Sequence, residues 1–136
     1  MDHFELRAVG RVESPLTDPG LAPRQGDEGS PDAWLVLDPA VSDAARDLEV
    51  GAQVIVLTWL DRASRDVLAV HPRDDASRPL TGVFSTRSPD RPNPVGLHTV
   101  RIAEIDGNRI RVHDLEALDG TPVVDIKPVL GPAAQR

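Results

Sequence analysis

"GLHTVRIAEIDGNRIRVHDL", residues 96–115, alternates apolar and polar side chains on both sides of Asp106-Gly107-Asn108. Alternation with a period of two places one face of a strand on a core and the other in water. The Asp-Gly-Asn centre is built of residues suited to a tight turn, so 96–105 and 109–115 read as the two arms of a hairpin. A hairpin cannot bury its apolar face alone, so the rest of the chain has to supply partners. Upstream, "QVIVLTWL" (53–60) is a nearly continuous apolar run and the best central strand. "FELRAVGRVES" (4–14) alternates until Ser14-Pro15 stops it, and "WLVL" (34–37), "DVLAV" (66–70) and "TGVFS" (81–85) are short strand candidates. "PVVDIKP" (122–128) closes the series between two prolines. The one helical signal is "SDAARDLE" (42–49), with Ser42 as N-cap and Gly51 beyond its end. The pattern is mainly β, either an all-β barrel or an α+β domain dominated by one.

A chain of 136 residues predicts one domain with a real core. It has no cysteine, so neither disulfides nor thiolate zinc sites hold it. No apolar run reaches bilayer-spanning length and "MDHFELRAVG" lacks a signal-peptide core, so a cytoplasmic protein without membrane contact is expected. The net charge of −7 argues against coating a nucleic acid through the overall field. Residues 1–61 hold 4 basic and 12 acidic side chains (−8), residues 62–101 hold 7 and 4 (+3), and residues 102–136 hold 4 and 6 (−2). The one basic segment suits an anionic ligand, or a limited RNA contact.

That basic segment contains "STRSPDRPNPVG" (85–96), one of three turn-rich stretches that also carry functional side chains. The others are "APRQGDEG" (22–29), inside the Pro/Gly-rich loop 15–33, and "LDGTPVVDIKP" (118–128). Pro89, Pro92 and Pro94 fix φ, so the loop is ordered before any ligand arrives. Arg87 and Arg91 each offer a planar donor fork to a carboxylate or phosphate; the competing reading is a structural loop whose arginines bond backbone carbonyls. His3, His71, His98 and His113 lack metal-ligand spacing, which predicts no metal, and His98 and His113 read as ordinary strand residues. Trp34 and Trp59 read as packing residues. Phosphate-loop and nucleophile-elbow motifs are missing, and Ser85, Thr86 and Ser88 have no evident base.

Taken in order, "PRQ" (23–25), "GVFSTRSPDRPNPVGL" (82–97) and "DLEALDGTPVVDIKP" (114–128) resemble the TrmO (TsaA-like) family of S-adenosylmethionine-dependent methyltransferases. The similarity runs from "VGRVESP" to "DIKP", nearly the whole chain. The resemblance implies a single-sheeted β-barrel with short helical insertions, spanning 1–136 without the C-terminal domain of longer members. It implies a homodimer with S-adenosylmethionine near the subunit interface, and N-methylation of threonylcarbamoyladenosine beside the anticodon of tRNA. By matching position, the cofactor contacts are Pro23, Arg24, Gln25, Asp61, Arg62, Arg87, Leu97, Leu118, Asp119, Gly120 and Thr121. Asp61 stands where many members carry histidine. A general base is optional, with Asp61, Asp114 and Asp119 as candidates and no catalytic residue assigned. Two alternatives stay open: a methyltransferase acting on a small metabolite, and a cofactor-binding module without turnover.

Overall fold

The hairpin forms where the alternation places it. β6 (Val95–Asp106) and β7 (Arg109–His113) run antiparallel, and Gly107 between them has a φ of 60°. That left-handed conformation is what the primed turns of two-residue hairpins demand, and glycine adopts it without strain. The computed structural model describes residues 2–17 and 30–131. Within them the other strands are β1 (Gly10–Glu13), β2 (Ala33–Leu37), β3 (Gln53–Trp59), β4 (Ala69–Val70), β5 (Thr81–Gly82) and β8 (Pro122–Pro128).

Six strands close into one antiparallel barrel in the order β1-β2-β7-β6-β3-β8, with Gly10 opposite Val123 completing the ring. Closure removes the sheet edges that an open sheet of short strands would expose. β3 is central, as its apolar run predicts: it pairs with β6 from Gln53 to Trp59 and with β8 from Val54 to Thr58. The filled interior is made of Val12, Leu35, Val54, Val56, Val100, Ile102, Ile110, Val112 and Val123, with Leu115 added from the segment after β7. Most of these are β-branched, which suits the pleated surface they line. β4 and β5 form a separate two-stranded ribbon.

Three expectations need correction. Residues 4–9 are not strand: Phe4 is 85 % exposed and the ladder starts only at Gly10, which faces Leu37 at the end of β2, although β8 on the other side runs on to Pro128. The helix is a 3₁₀ segment over Pro39–Ala45, not 42–49. Asp38 caps it by accepting from the Ala40 amide, and Pro39 occupies its start. "TGVFS" splits into the two residues of β5 and a 3₁₀ turn over Val83–Ser85.

Antiparallel pairing around the ring fixes which loops meet. The C-terminal ends of β1, β3 and β7 and the N-terminal ends of β2, β6 and β8 share one mouth of the barrel. Of the turn-rich stretches singled out in the sequence, 85–96 ends and 118–128 starts at that mouth, and 22–29 lies outside the described residues.

Candidate functional site

At this mouth the Leu118–Thr121 segment forms a tight turn, closed by the Thr121 amide donating to the Leu118 carbonyl at 3.1 Å. Gly120 has a φ of 83°, as the third residue of a type II turn requires. The turn is stitched to the chain leaving β1. The Asp119 amide donates to Leu16 O (2.7 Å), the Gly120 amide to Val12 O (2.7 Å), and the Ser14 amide to the Asp119 carboxylate (3.0 Å). Part of the acceptor capacity of Asp119 is thus already engaged. Glu13, Ser14, Pro15, Asp32, Trp34 and Asp119 line a shallow cleft beside it.

Asp61 and Arg62 lie in the turn that follows β3, both exposed, and the Arg62 guanidinium donates to Thr17 O at 3.3 Å. The short segment Ser14–Thr17 therefore touches both the Leu118–Thr121 turn and the Asp61–Arg62 turn. Leu97 pairs with Leu57 on β3, and its side chain faces outward with 45 % exposure. Pro23, Arg24 and Gln25 lie outside the described residues; the chain runs toward them from Thr17 and returns at Ser30, just before β2.

The proline-rich loop separates its two arginines. Arg91 is half-buried and donates three times into its own loop: Nε to Ser88 O (2.8 Å), and Nη2 to Val83 O and Thr86 O (2.6 Å each). It is a pin. Arg87 is exposed, and among the described residues its guanidinium has no partner. A second latch comes from Arg65, which donates to Pro92 O (2.7 Å) and to Asn93 Oδ1 (2.8 Å) while lying over the Trp59 ring. The Ser64 amide donates to Asp90 at 2.9 Å. Around this loop Arg62, Arg65 and Arg91 are thus committed to carbonyls, whereas Arg87, among the described residues, is not.

Three residues that the sequence reading passed over meet at the same mouth. The Thr58 hydroxyl lies 2.7 Å from His98 Nε2, and His98 Nδ1 lies 2.6 Å from the Glu116 carboxylate. Thr58 is fully buried and His98 is 5 % exposed. The signal existed: alternation puts His98 on the same face as Val100 and Ile102, and a histidine on a core face requires partners. The candidate bases differ in setting. Asp61 is exposed, and Asp114, also exposed, has a φ of 62° just after β7.

A family model described as the tRNA-methyltransferase O N-terminal domain matches residues 11–133. A probable S-adenosyl-L-methionine-binding protein of Archaeoglobus fulgidus is 47 % identical over 124 residues, covering 91 % of this chain and 33 % of the relative. A second protein of that organism, an S-adenosyl-L-methionine-binding protein, is 43 % identical over 122 residues, covering 90 % of this chain and 86 % of the relative. A crystal structure of TrmO superposes with a TM-score of 0.76 at 30 % identity, over 98 % of this chain and 60 % of that one. Another, TrmO from Pseudomonas aeruginosa, gives 0.74 at 28 % identity, over 96 % and 57 %. The chain thus spans a third of the first relative and about three fifths of the TrmO structures.

Proposed function

The chain belongs to the family of the tRNA-methyltransferase O N-terminal domain, and from that membership we propose that it is an S-adenosylmethionine-dependent methyltransferase acting on threonylcarbamoyladenosine beside the anticodon of tRNA. One observation carries the reading. The turns bearing Asp61 and Arg62, the start of β6 at Leu97, the loop of Arg87 and the Leu118–Thr121 turn all open at one mouth of the barrel.

S-adenosylmethionine is the cofactor. The residues present fit its chemistry. The Arg87 guanidinium, without a partner among the described residues, suits the cofactor carboxylate, for which a planar fork is the best side-chain donor. Asp61 and Asp119 supply negative charge for the ammonium and sulfonium. The amides of Asp119, Gly120 and Thr121 already donate within the protein, so what the Leu118–Gly120 turn offers an adenine edge is carbonyl acceptors for its amino group. When bound, the cofactor supplies an electrophilic methyl group. The protein's contribution is to hold the acceptor nitrogen in line with it, and a preordered, proline-stiffened loop lowers the ordering cost of doing so.

A homodimer belongs to this proposal. Ile55, Leu57 and Trp59 on β3 and Val95 and Leu97 on β6 share the outer face of the barrel, where Val95 and Leu97 are 41 % and 45 % exposed. An apolar outer face that includes a proposed cofactor residue supports a second copy seated next to the cofactor.

Arg87→Ala is expected to weaken S-adenosylmethionine binding by about tenfold or more, the loss of a charge-assisted pair, with the melting temperature unchanged. Calorimetric titration reads the affinity. Nucleosides from tRNA of a strain lacking the gene should contain unmethylated threonylcarbamoyladenosine. Wild-type protein that fails to take up millimolar cofactor refutes the methyltransferase reading; an unchanged nucleoside profile moves the acceptor to a small metabolite. Firm binding with no acceptor found leaves a binding module, which is as far as the names of the archaeal relatives go.

A further inference from the structure

The buried chain Thr58–His98–Glu116 lies outside the residue set just described, yet each of its members is a near neighbour in sequence of one part of that set. Thr58 is three residues before Asp61 on β3, His98 directly follows Leu97 on β6, and Glu116 is two residues before Leu118. Thr58 stands opposite Gly96 in the β3–β6 ladder, so His98 reaches it diagonally. The contact passes over a glycine for a steric reason. A Cβ on Gly96 would lie 2.4 Å from Thr58 Oγ1 and 2.7 Å from His98 Nε2, closer than any real side chain sits. On the other side of the ladder, pairing shifts between Leu57 and Thr58, where Leu57 faces Asp125 and Thr58 faces Val123. A bulge at this point re-aims the strand at the rim, a common device beside functional sites.

The chemistry of the chain has a direction. A carboxylate only accepts, so Nδ1–H of His98 donates to Glu116; with the ring neutral, Nε2 then accepts from the Thr58 hydroxyl. All three polar groups are satisfied, and Thr58 is sealed from solvent, which rules it out as a nucleophile. Glu116 is flanked by Leu115 and Ala117, both packed in the core, so the segment leading into the Leu118–Thr121 turn is held by two apolar plugs and one ion-assisted bond.

We propose that His98 and Glu116 are positioning residues for the cofactor: their bond fixes the Leu118–Thr121 turn relative to Leu97 and to the end of β3. This rests on the reading of S-adenosylmethionine as cofactor. The geometry is made before the ligand arrives, and loosening it costs affinity because the turn must then be ordered on binding. Glu116 is the place to test it, since its side chain is 18 % exposed and lies at the rim of the core.

The experiment is calorimetric titration of S-adenosylmethionine into the wild-type protein, Glu116→Ala and Glu116→Gln, with melting temperatures alongside. Glu116→Ala should bind about tenfold more weakly, and Glu116→Gln, which keeps a carbonyl acceptor for Nδ1–H, should stay within about threefold of wild type. Equal affinities in all three overturn the proposal and leave the chain as structural cement. Should Glu116→Ala not fold, nitrogen NMR of His98 in the wild type decides. The spectrum should show Nδ1 protonated and should move when the cofactor is added, and an unmoved signal at saturation overturns the proposal. Wild-type protein that binds no cofactor is a different failure, that of the functional reading itself.

Discussion

Two arginines four positions apart in one loop do opposite work, and the difference lies in what their donors meet. Arg91 is turned inward, where its fork takes the carbonyls of Thr86 and Ser88 and shares that of Val83 with the Thr86 amide and hydroxyl. Arg87 lies on the outer side of the same turn, exposed. Composition could not separate them, because either orientation is compatible with "STRSPDRPNP". Removing the pin strands partly buried acceptors, at a cost of about 2 kcal/mol. Arg91→Ala should therefore lower the melting temperature by roughly 6–10 °C. Arg91→Lys should recover only a minor part of that loss, since an ammonium cannot span three carbonyls in the plane of one guanidinium. Thermal unfolding by circular dichroism checks both, and a wild-type melting curve for Arg91→Ala would show that the prolines alone hold the loop.

Between strands, the mouth is clipped by a charged cluster on the outside of β2 and β7. Asp32, the residue before β2, accepts from His113 Nδ1 and from Arg111 Nη1, each at 2.7 Å, and Arg111 also meets Glu104 on β6 at 3.2 Å. The His113 bond, followed by the nearby positive charges, holds the Asp32 carboxyl below its ordinary value of 3.8 despite some opposing desolvation. A carboxyl depressed in the folded state stabilises the fold at every pH above its unfolded value and loses that contribution as the pH falls through the folded value. Stability should thus decline below about pH 4, and Asp32→Asn should melt modestly lower than wild type at neutral pH and converge with it at the acid end, flattening that limb. Melting temperatures measured from pH 2 to 7 give the comparison; parallel curves for the two proteins would exclude the clip. Elements of this kind mark the limit of what the chain reveals before folding. The arms of the hairpin and the apolar run of β3 were legible because period and turn chemistry are local properties. Residues 4–9 alternate equally well, but β2 ends opposite Gly10, so the earlier residues could be paired on the β8 side alone, and that ladder does not extend to them. Within the site, the turn chemistry of Leu118–Thr121 was visible, whereas the Thr58–His98–Glu116 chain joins residues 40 and 18 positions apart and exists only through the β3–β6 register.

For the molecule as a whole, the question is how a protein of net charge −7 would meet the polyanion proposed as its substrate. Residues 62–101 carry seven arginines against four acids, and four of those arginines are held in fixed directions. Arg62, Arg65, Arg91 and Arg101 donate to backbone carbonyls. Those bonds orient the guanidinium groups without neutralising them, but a local excess of +3 is small beside a polyanion, and a dimer would build a larger site, because twofold symmetry doubles every loop placed near the axis. The outer face of β3 and β6 is the apolar surface that borders Leu97. Leu57 sits at its centre, opposite Leu97 on one side and Asp125 on the other. Leu57→Arg puts a charge where an isologous interface would press the same residue or its neighbours against themselves, so two charges must be buried together. The wild type should sediment at twice the 14.7 kDa chain mass and the variant at the mass of one chain. The side chain points away from the core, so the variant should keep its barrel and its far-ultraviolet circular dichroism. If cofactor contacts cross the interface, it should also bind S-adenosylmethionine about tenfold more weakly, the loss of one charge-assisted contact. A wild type that sediments as one chain at micromolar concentration removes the dimer. A monomeric variant with undiminished cofactor affinity places the whole cofactor site within one barrel.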